Sequence, residues 1–266
     1  MALDQNRLKM LANELKQKSE MEQSIRVARS RQLHMLPKMP NVAGYEFKGV
    51  YLPCANISGD FYDFIKVSDN EIGIALGDVS GHGIEAGIIM GMAKKALQIY
   101  ARGISSPKHA LALTNTDLSA DLADSTFVSA AYGVLDTALR VFKFARAGNN
   151  PPYLINPARN PVLREVKPNG MVIGVDKSGK RFPMVTQEEV IHLLPGDVFF
   201  QYTDGVVEAP NRAKEEFGDD RLKSLLIDNS GRPLEEIISL VEAALKMHVG
   251  PVEQEDDITM VAFRVL

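Results

Sequence analysis

A chain of 266 residues that is 45% hydrophobic can bury a large core, and it fits one large domain with an appendage better than two full domains. A formal net charge of -4 and a pI near 5.8, with lysine and arginine interspersed among the acids, leave no broad basic surface and exclude nucleic acid as an expected partner. Cys54 is the only cysteine, which excludes an intramolecular disulfide and a multi-cysteine zinc site; no apolar run nears the roughly 20 residues that span a bilayer, so a cytoplasmic chain without a membrane segment is expected.

Residues 2–36 contain no glycine or proline, are rich in Lys, Glu, Gln and Arg, and stop at Pro37, so the sequence predicts one long helix. Residues 1–36 are therefore expected to form a linker or homodimerisation helix ahead of a domain over 37–266. The apolar stripe is thin. Leu8, Leu11 and Leu15 fit heptad core positions, but the same frame then meets Lys18 and Glu22 before Ile25 restores it. A dimerising, signal-transmitting helix and a solvated linker both fit this pattern.

Beyond Pro37 the pattern changes to short strands. Segments 45–52, 61–67 and 71–78 are β-rich, and Ser68-Asp69-Asn70 is a turn signal that suggests antiparallel pairing. Segments 84–101 and 107–122 have helical apolar spacing and are separated by Gly103 and Pro107, which predicts a helical hairpin. Strands are expected again at 127–135, 139–146, 152–156, 189–194 and 198–203, with Pro195-Gly196-Asp197 as a hairpin turn. Helices follow at 219–228 and 233–248, and 258–265 is apolar and β-branched enough for an internal strand. Clustered helices between runs of strands imply an α+β fold of two sheets covered by helices.

Four acidic segments each place an aspartate at the end of an apolar strand instead of in a polar loop. Ile72 to Leu76 runs into Gly77-Asp78, and Val198 to Tyr202 runs into Thr203-Asp204-Gly205; Asp60 opens one strand, and Asp256-Asp257 opens the last. Strands lying side by side would gather these carboxylates at one edge of the core, where they repel one another unless a divalent cation keeps them ionised. Oxygen-only ligation selects magnesium or manganese over zinc. Two such ions, about 3.5–4 Å apart, could bridge a water and hold a phosphate oxygen during in-line attack. No nucleophilic cysteine or serine signature appears. A lone Gly-Asp is more often a turn than a ligand, and Asp197 and Asp219 are read that way. His82, in Ser80-Gly81-His82-Gly83, could donate a proton to a leaving alkoxide or stand as an ordinary loop histidine.

SGDFYDF at 58–64, ALGDVSGHG at 75–83, ARAGNNPPYL at 145–154, YTDGVVEA at 202–209 and EDDITMVAF at 255–263 together resemble the bacterial SpoIIE/RsbU-type branch of the metal-dependent, phosphatase-2C-like (PPM) serine/threonine protein phosphatases. The resemblance covers about residues 22–266. It implies a four-layer αββα sandwich with a dinuclear manganese or magnesium site. Asp60, Asp78, Asp204 and Asp256 would be the acidic ligands, supplemented by the carbonyl of Val79, with Asp257 a ligand or a support. It also implies a phosphoserine or phosphothreonine substrate on a small anti-anti-sigma (STAS) protein in a partner-switching pathway. Three positions depart from the family pattern. Asn149 stands where histidine is usual, Arg146 where asparagine is common, and Ser58 replaces the first glycine of Gly-Gly-Asp. The competing readings are a catalytically silent scaffold that binds the same kind of partner, and a two-metal nucleotide phosphodiesterase.

Overall fold

The computed structural model describes residues 2–266; for residues 2–6, 8 and 9 it describes the backbone alone, so the heptad reading at Leu8 lies outside the described side chains. The chain falls into two units that divide between Leu36 and Pro37. The first is built on one helix, α1 (Ala2–Leu33). Leu11, Leu15 and Met21 are all exposed along it, as a helix without a continuous apolar stripe requires.

The second unit runs β1 (Tyr45–Leu52), β2 (Phe61–Lys66), β3 (Glu71–Val79), α2 (Ile84–Tyr100), α3 (Pro107–Leu118), β4 (Val128–Asp136) and β5 (Val141–Ala147). It continues through β6 (Tyr153–Ile155), β7 (Leu163–Glu165), α4 (Phe182–Val185), β8 (Glu189–His192), β9 (Val198–Tyr202), α5 (Asp219–Asp228), α6 (Leu234–Val249) and β10 (Ile258–Val265). One sheet has the order β1-β10-β9-β6-β7 and the other β2-β3-β4-β5-β8, with every pairing antiparallel.

Helical periodicity explains the outer layers. Ala86, Ile89, Met90, Ala93 and Leu97 recur on one face of α2 and are buried with α3 against the second sheet. Leu234, Ile237, Ile238, Val241 and Leu245 do the same for α6, which with α5 covers the first sheet. Helix α3 starts where it does because Pro107 suits the first helical position and the Ser106 side chain accepts the His109 N–H. Between the sheets the core is aromatic. The Phe142 ring of β5 meets Phe199 of β9 edge-on at 4.7 Å between centroids, and Phe263 of β10 at 5.0 Å. The result is the four-layer αββα sandwich expected from the sequence.

Two expectations need correction. Pro195-Gly196-Asp197 does not close a hairpin, because β8 pairs with β5 in one sheet while β9 pairs with β10 and β6 in the other. The turn carries the chain between sheets, and the buried Asp197 holds it there by accepting from Arg159 Nη2 at 2.5 Å and from Leu194 N at 2.7 Å. All five residues of β9 are buried, so that strand needs a central place that a hairpin with β8 would deny it. Likewise β1 does not join β2 but pairs along its whole length with β10. Strand β7 and helix α4, of three and four residues, were too short to show a period in the sequence.

Candidate active site

The acidic segments come from both sheets. Asp60 precedes β2 and Asp78 is the penultimate residue of β3, adjacent strands of one sheet; Asp204 opens a 3₁₀ turn after β9, and Asp256-Asp257 precede β10, adjacent strands of the other. The edge of the core expected from the sequence thus draws on strands of both sheets. Hydrogen bonds tie them together across the sandwich. Thr203 Oγ1 donates to Asp60 Oδ2 at 2.9 Å, and Thr203 Oγ1 in turn accepts from Thr259 N at 3.0 Å. Asp257 accepts from Cys54 N at 2.8 Å through Oδ1 and from Gly59 N at 3.0 Å through Oδ2.

Above these bonds lies a cavity of about 380 Å³ lined by Asp78, Asp204 and Asp256 together with Val79, Gly81 and Asn149. No lysine, arginine or histidine lines it among the described residues. Gly59 lets the Asp60 segment approach the Val79 carbonyl, from which a Cβ at Gly59 would be only 3.0 Å away. At Gly205 a Cβ would run into the Asp257 carbonyl oxygen, so this glycine allows the 3₁₀ turn to lie against the other acidic segment.

Burial, with the Asp78 charge next in size, pushes the Asp60 carboxyl well above the usual range. Burial also raises Asp78, to about 7, with Asp204, Asp256 and Asp257 adding to it. Asp256 is raised by the same combination of burial and acidic neighbours. Such a set of oxygen donors, costly to ionise together and walled by no basic side chain among the described residues, fits a hard divalent cation.

A pH dependence follows. In chelator-treated protein Asp78 binds its proton more tightly folded, at about 7, than at its ordinary 3.8, so the folded state holds more protons in that window and stability falls as pH rises through it. The melting temperature in EDTA is expected to be several degrees lower at about pH 7.5 than at about pH 5.5, and saturating manganese should shrink the difference. Thermal scans at the two pH values check this; equal melting temperatures in EDTA would refute it.

The remaining residues singled out from the sequence divide. His82 is exposed and lines an adjoining groove, not the acid-walled cavity. Asp257 is buried and its carboxylate is occupied by the two backbone donors, which suits a brace for the Cys54–Gly59 loop. The donor atoms of Cys54, Asp256 and Asp257 lie within 4.8 Å of one another, and without a bound ion burial and then Asp257 push the Cys54 thiol up to about 12. Asp219 is not a simple turn residue: it opens α5 and accepts hydrogen bonds from Tyr153 and Tyr202. Arg146 stitches the altered loop, donating to Asn149 O at 2.7 Å and to Pro168 O at 2.9 Å. Asn149 is buried on the cavity wall, where Nδ2 donates to Ser129 Oγ at 3.1 Å while Oδ1 has no partner among the described residues. Sequence reasoning missed Thr203, although it stands inside the Tyr-Thr-Asp-Gly motif.

Fold and site together define a phosphatase-2C-like domain. The SiaA-PP2C domain of Pseudomonas aeruginosa superposes with a TM-score of 0.80 at 23% identity, covering 94% of this chain and 98% of that one. The Stage II sporulation protein E (SpoIIE) family profile matches residues 68–266, and the chain belongs to that family. Phosphoserine phosphatase RsbU of Bacillus subtilis is 26% identical over 250 residues, 92% of this chain and 71% of RsbU. Protein IcfG of Synechocystis is 26% identical over 263 residues, 88% of this chain, which spans only 40% of IcfG.

Proposed function

We propose that this chain is a manganese- or magnesium-dependent protein serine/threonine phosphatase. The observation that carries the reading is the acid-walled cavity, where Asp78, Asp204 and Asp256 converge beside the buried Asp60 and no lysine, arginine or histidine is among the described lining residues. Asp60, Asp78, Asp204 and Asp256 would hold two divalent cations, with the Val79 carbonyl beside Asp78. Bound there, such ions would supply Lewis acidity toward the phosphoryl oxygens and the attacking water alike. Thr203 fixes the Asp60 carboxylate, and Asp257 fixes the loop that carries it. His82, which lines the adjoining groove, would in this reading donate a proton to the departing serine or threonine oxygen.

The substrate proposed is a phosphoserine or phosphothreonine on a small STAS-domain regulator in a partner-switching pathway. The family match and the likeness to RsbU support this. No described helix is long and apolar enough to cross a membrane. For residues 1–36 we propose homodimerisation, from the length of α1 and its exposed Leu11 and Leu15. One assay series tests both readings. Phosphorylated STAS proteins from the same cell are incubated with the chain in manganese or in EDTA, and light scattering reports its molar mass with and without residues 1–22. Manganese-dependent phosphate release and a dimer lost on truncation are expected. No release from any such protein overturns the substrate, and an unchanged mass overturns the dimer.

A further inference from the structure

A groove of about 700 Å³, larger than the acid-walled cavity, lies beside it between α6, the turn after β9 and the segment before β10. Its floor is apolar and buried, formed by Ala209, Leu245 and Ile258, and the half-buried Val249 and Val252 form the wall. Four acids (Glu208, Glu242, Glu255 and Asp256) stand around it against one cation, Lys246. Gly81 and Asp256 line both the groove and the acid-walled cavity, so the two are continuous. Apart from Asp256 and His82, no groove residue has a part in the chemistry proposed at the acidic site.

Continuity restricts what can occupy it. A protein side chain that places its phosphate among the aspartates must lay its neighbouring residues toward the shared boundary at Gly81 and Asp256. An apolar floor rewards a bulky apolar side chain there, and the excess of carboxylates rewards a cation beside it. We infer that the groove recognises the segment flanking the phosphorylated residue of the partner protein, taking one bulky apolar side chain and one adjacent lysine or arginine. This inference rests on the phosphatase reading and adds to it the origin of sequence preference.

The test uses the full chain with manganese and three phosphoserine peptides: one with leucine and lysine flanking the phosphoserine, one with glutamate for lysine, and one with glycine for leucine. p-Nitrophenyl phosphate, too small to reach the groove, serves as the fourth substrate. The first peptide is expected to exceed the other two by about tenfold in kcat/KM, with the difference in KM. Glu242→Lys, or Glu255→Lys as a second variant, should reverse the lysine-over-glutamate preference while p-nitrophenyl phosphate turnover stays within about twofold. Equal kcat/KM for the three peptides on the unmodified chain overturns the groove assignment, as does an unreversed preference in both variants. Failure of p-nitrophenyl phosphate itself to turn over in manganese would instead overturn the phosphatase reading. A KM that rises with enzyme concentration would show the groove filled by a second copy of the chain, which also overturns it.

Discussion

Asp78→Asn is expected to lower manganese-dependent phosphate release by at least about tenfold, and Asp204→Asn by a similar factor, because each removes a charged oxygen donor that a bound cation needs. Asparagine nearly preserves the shape of the side chain while discharging it. In metal-free protein the Asp78 carboxyl is raised to about 7 by burial and by Asp204, Asp256 and Asp257, so it is a source of repulsion in the folded state. The Asp78→Asn variant should therefore fold, and in EDTA near neutral pH it should melt at or above the temperature of the parent chain. This combination separates a lost ligand from a damaged fold. Phosphate-release rates, calorimetric titration with manganese and melting in EDTA together read it out. A rate loss of no more than about threefold, or undiminished manganese binding, would contradict the assignment.

The second large effect concerns stability. Lys94 of α2 and Asp63 of β2 form an ion pair at 2.8 Å, with side chains only 4% and 5% exposed. Lys94 Nζ also donates to Tyr62 O at 2.8 Å, and Gln98 Nε2 donates to Asp63 Oδ2 at 2.6 Å. Burial lowers the Lys94 pKa, and the charge of Asp63 opposes that shift. These contacts pin α2 to the strand that Asp60 opens. Lys94→Met would leave the Asp63 charge buried with the Gln98 amide as its remaining side-chain donor and is expected to cost about 3–5 kcal/mol. For a chain of this size that is a fall in melting temperature on the order of 10 °C. Adding Asp63→Leu should recover most of the loss, because a buried pair contributes little net stability relative to apolar residues of similar volume. Denaturant titration of the two variants measures this; a cost below about 1 kcal/mol for Lys94→Met would show the pair to be energetically idle.

The rest of the acidic site shows why geometry was needed even where the motifs were plain. Asp256 and Asp257 are neighbours in the sequence with the same charge, yet Asp257 is buried on the N–H groups of Cys54 and Gly59, while Asp256 lines the cavity. Both donors to Asp257 stand about two hundred residues earlier in the chain, beyond the reach of any local pattern. Asn149 is a visible departure in the sequence, but its unpartnered Oδ1 on the cavity wall is a tertiary fact.

By itself the sequence determined most of the elements, β7 and α4 excepted, and marked the acids as candidates. An amphipathic helix or an apolar strand advertises its period within a few residues, as Ala86 to Leu97 and Ile72 to Leu76 do, and an aspartate at the end of such a strand is visible without any fold. Which sheet each strand joins was decided only in three dimensions. Strand β1 pairs with β10 from the far end of the chain, and β8 and β9 part company across the Pro195-Gly196-Asp197 turn, because burying all five residues of β9 outweighs the local preference of a turn for closing a hairpin. The same long-range packing brings Asp60 to Thr203 and sets the groove beside the acids, since both are made by segments that meet only when the two sheets close on a shared aromatic core.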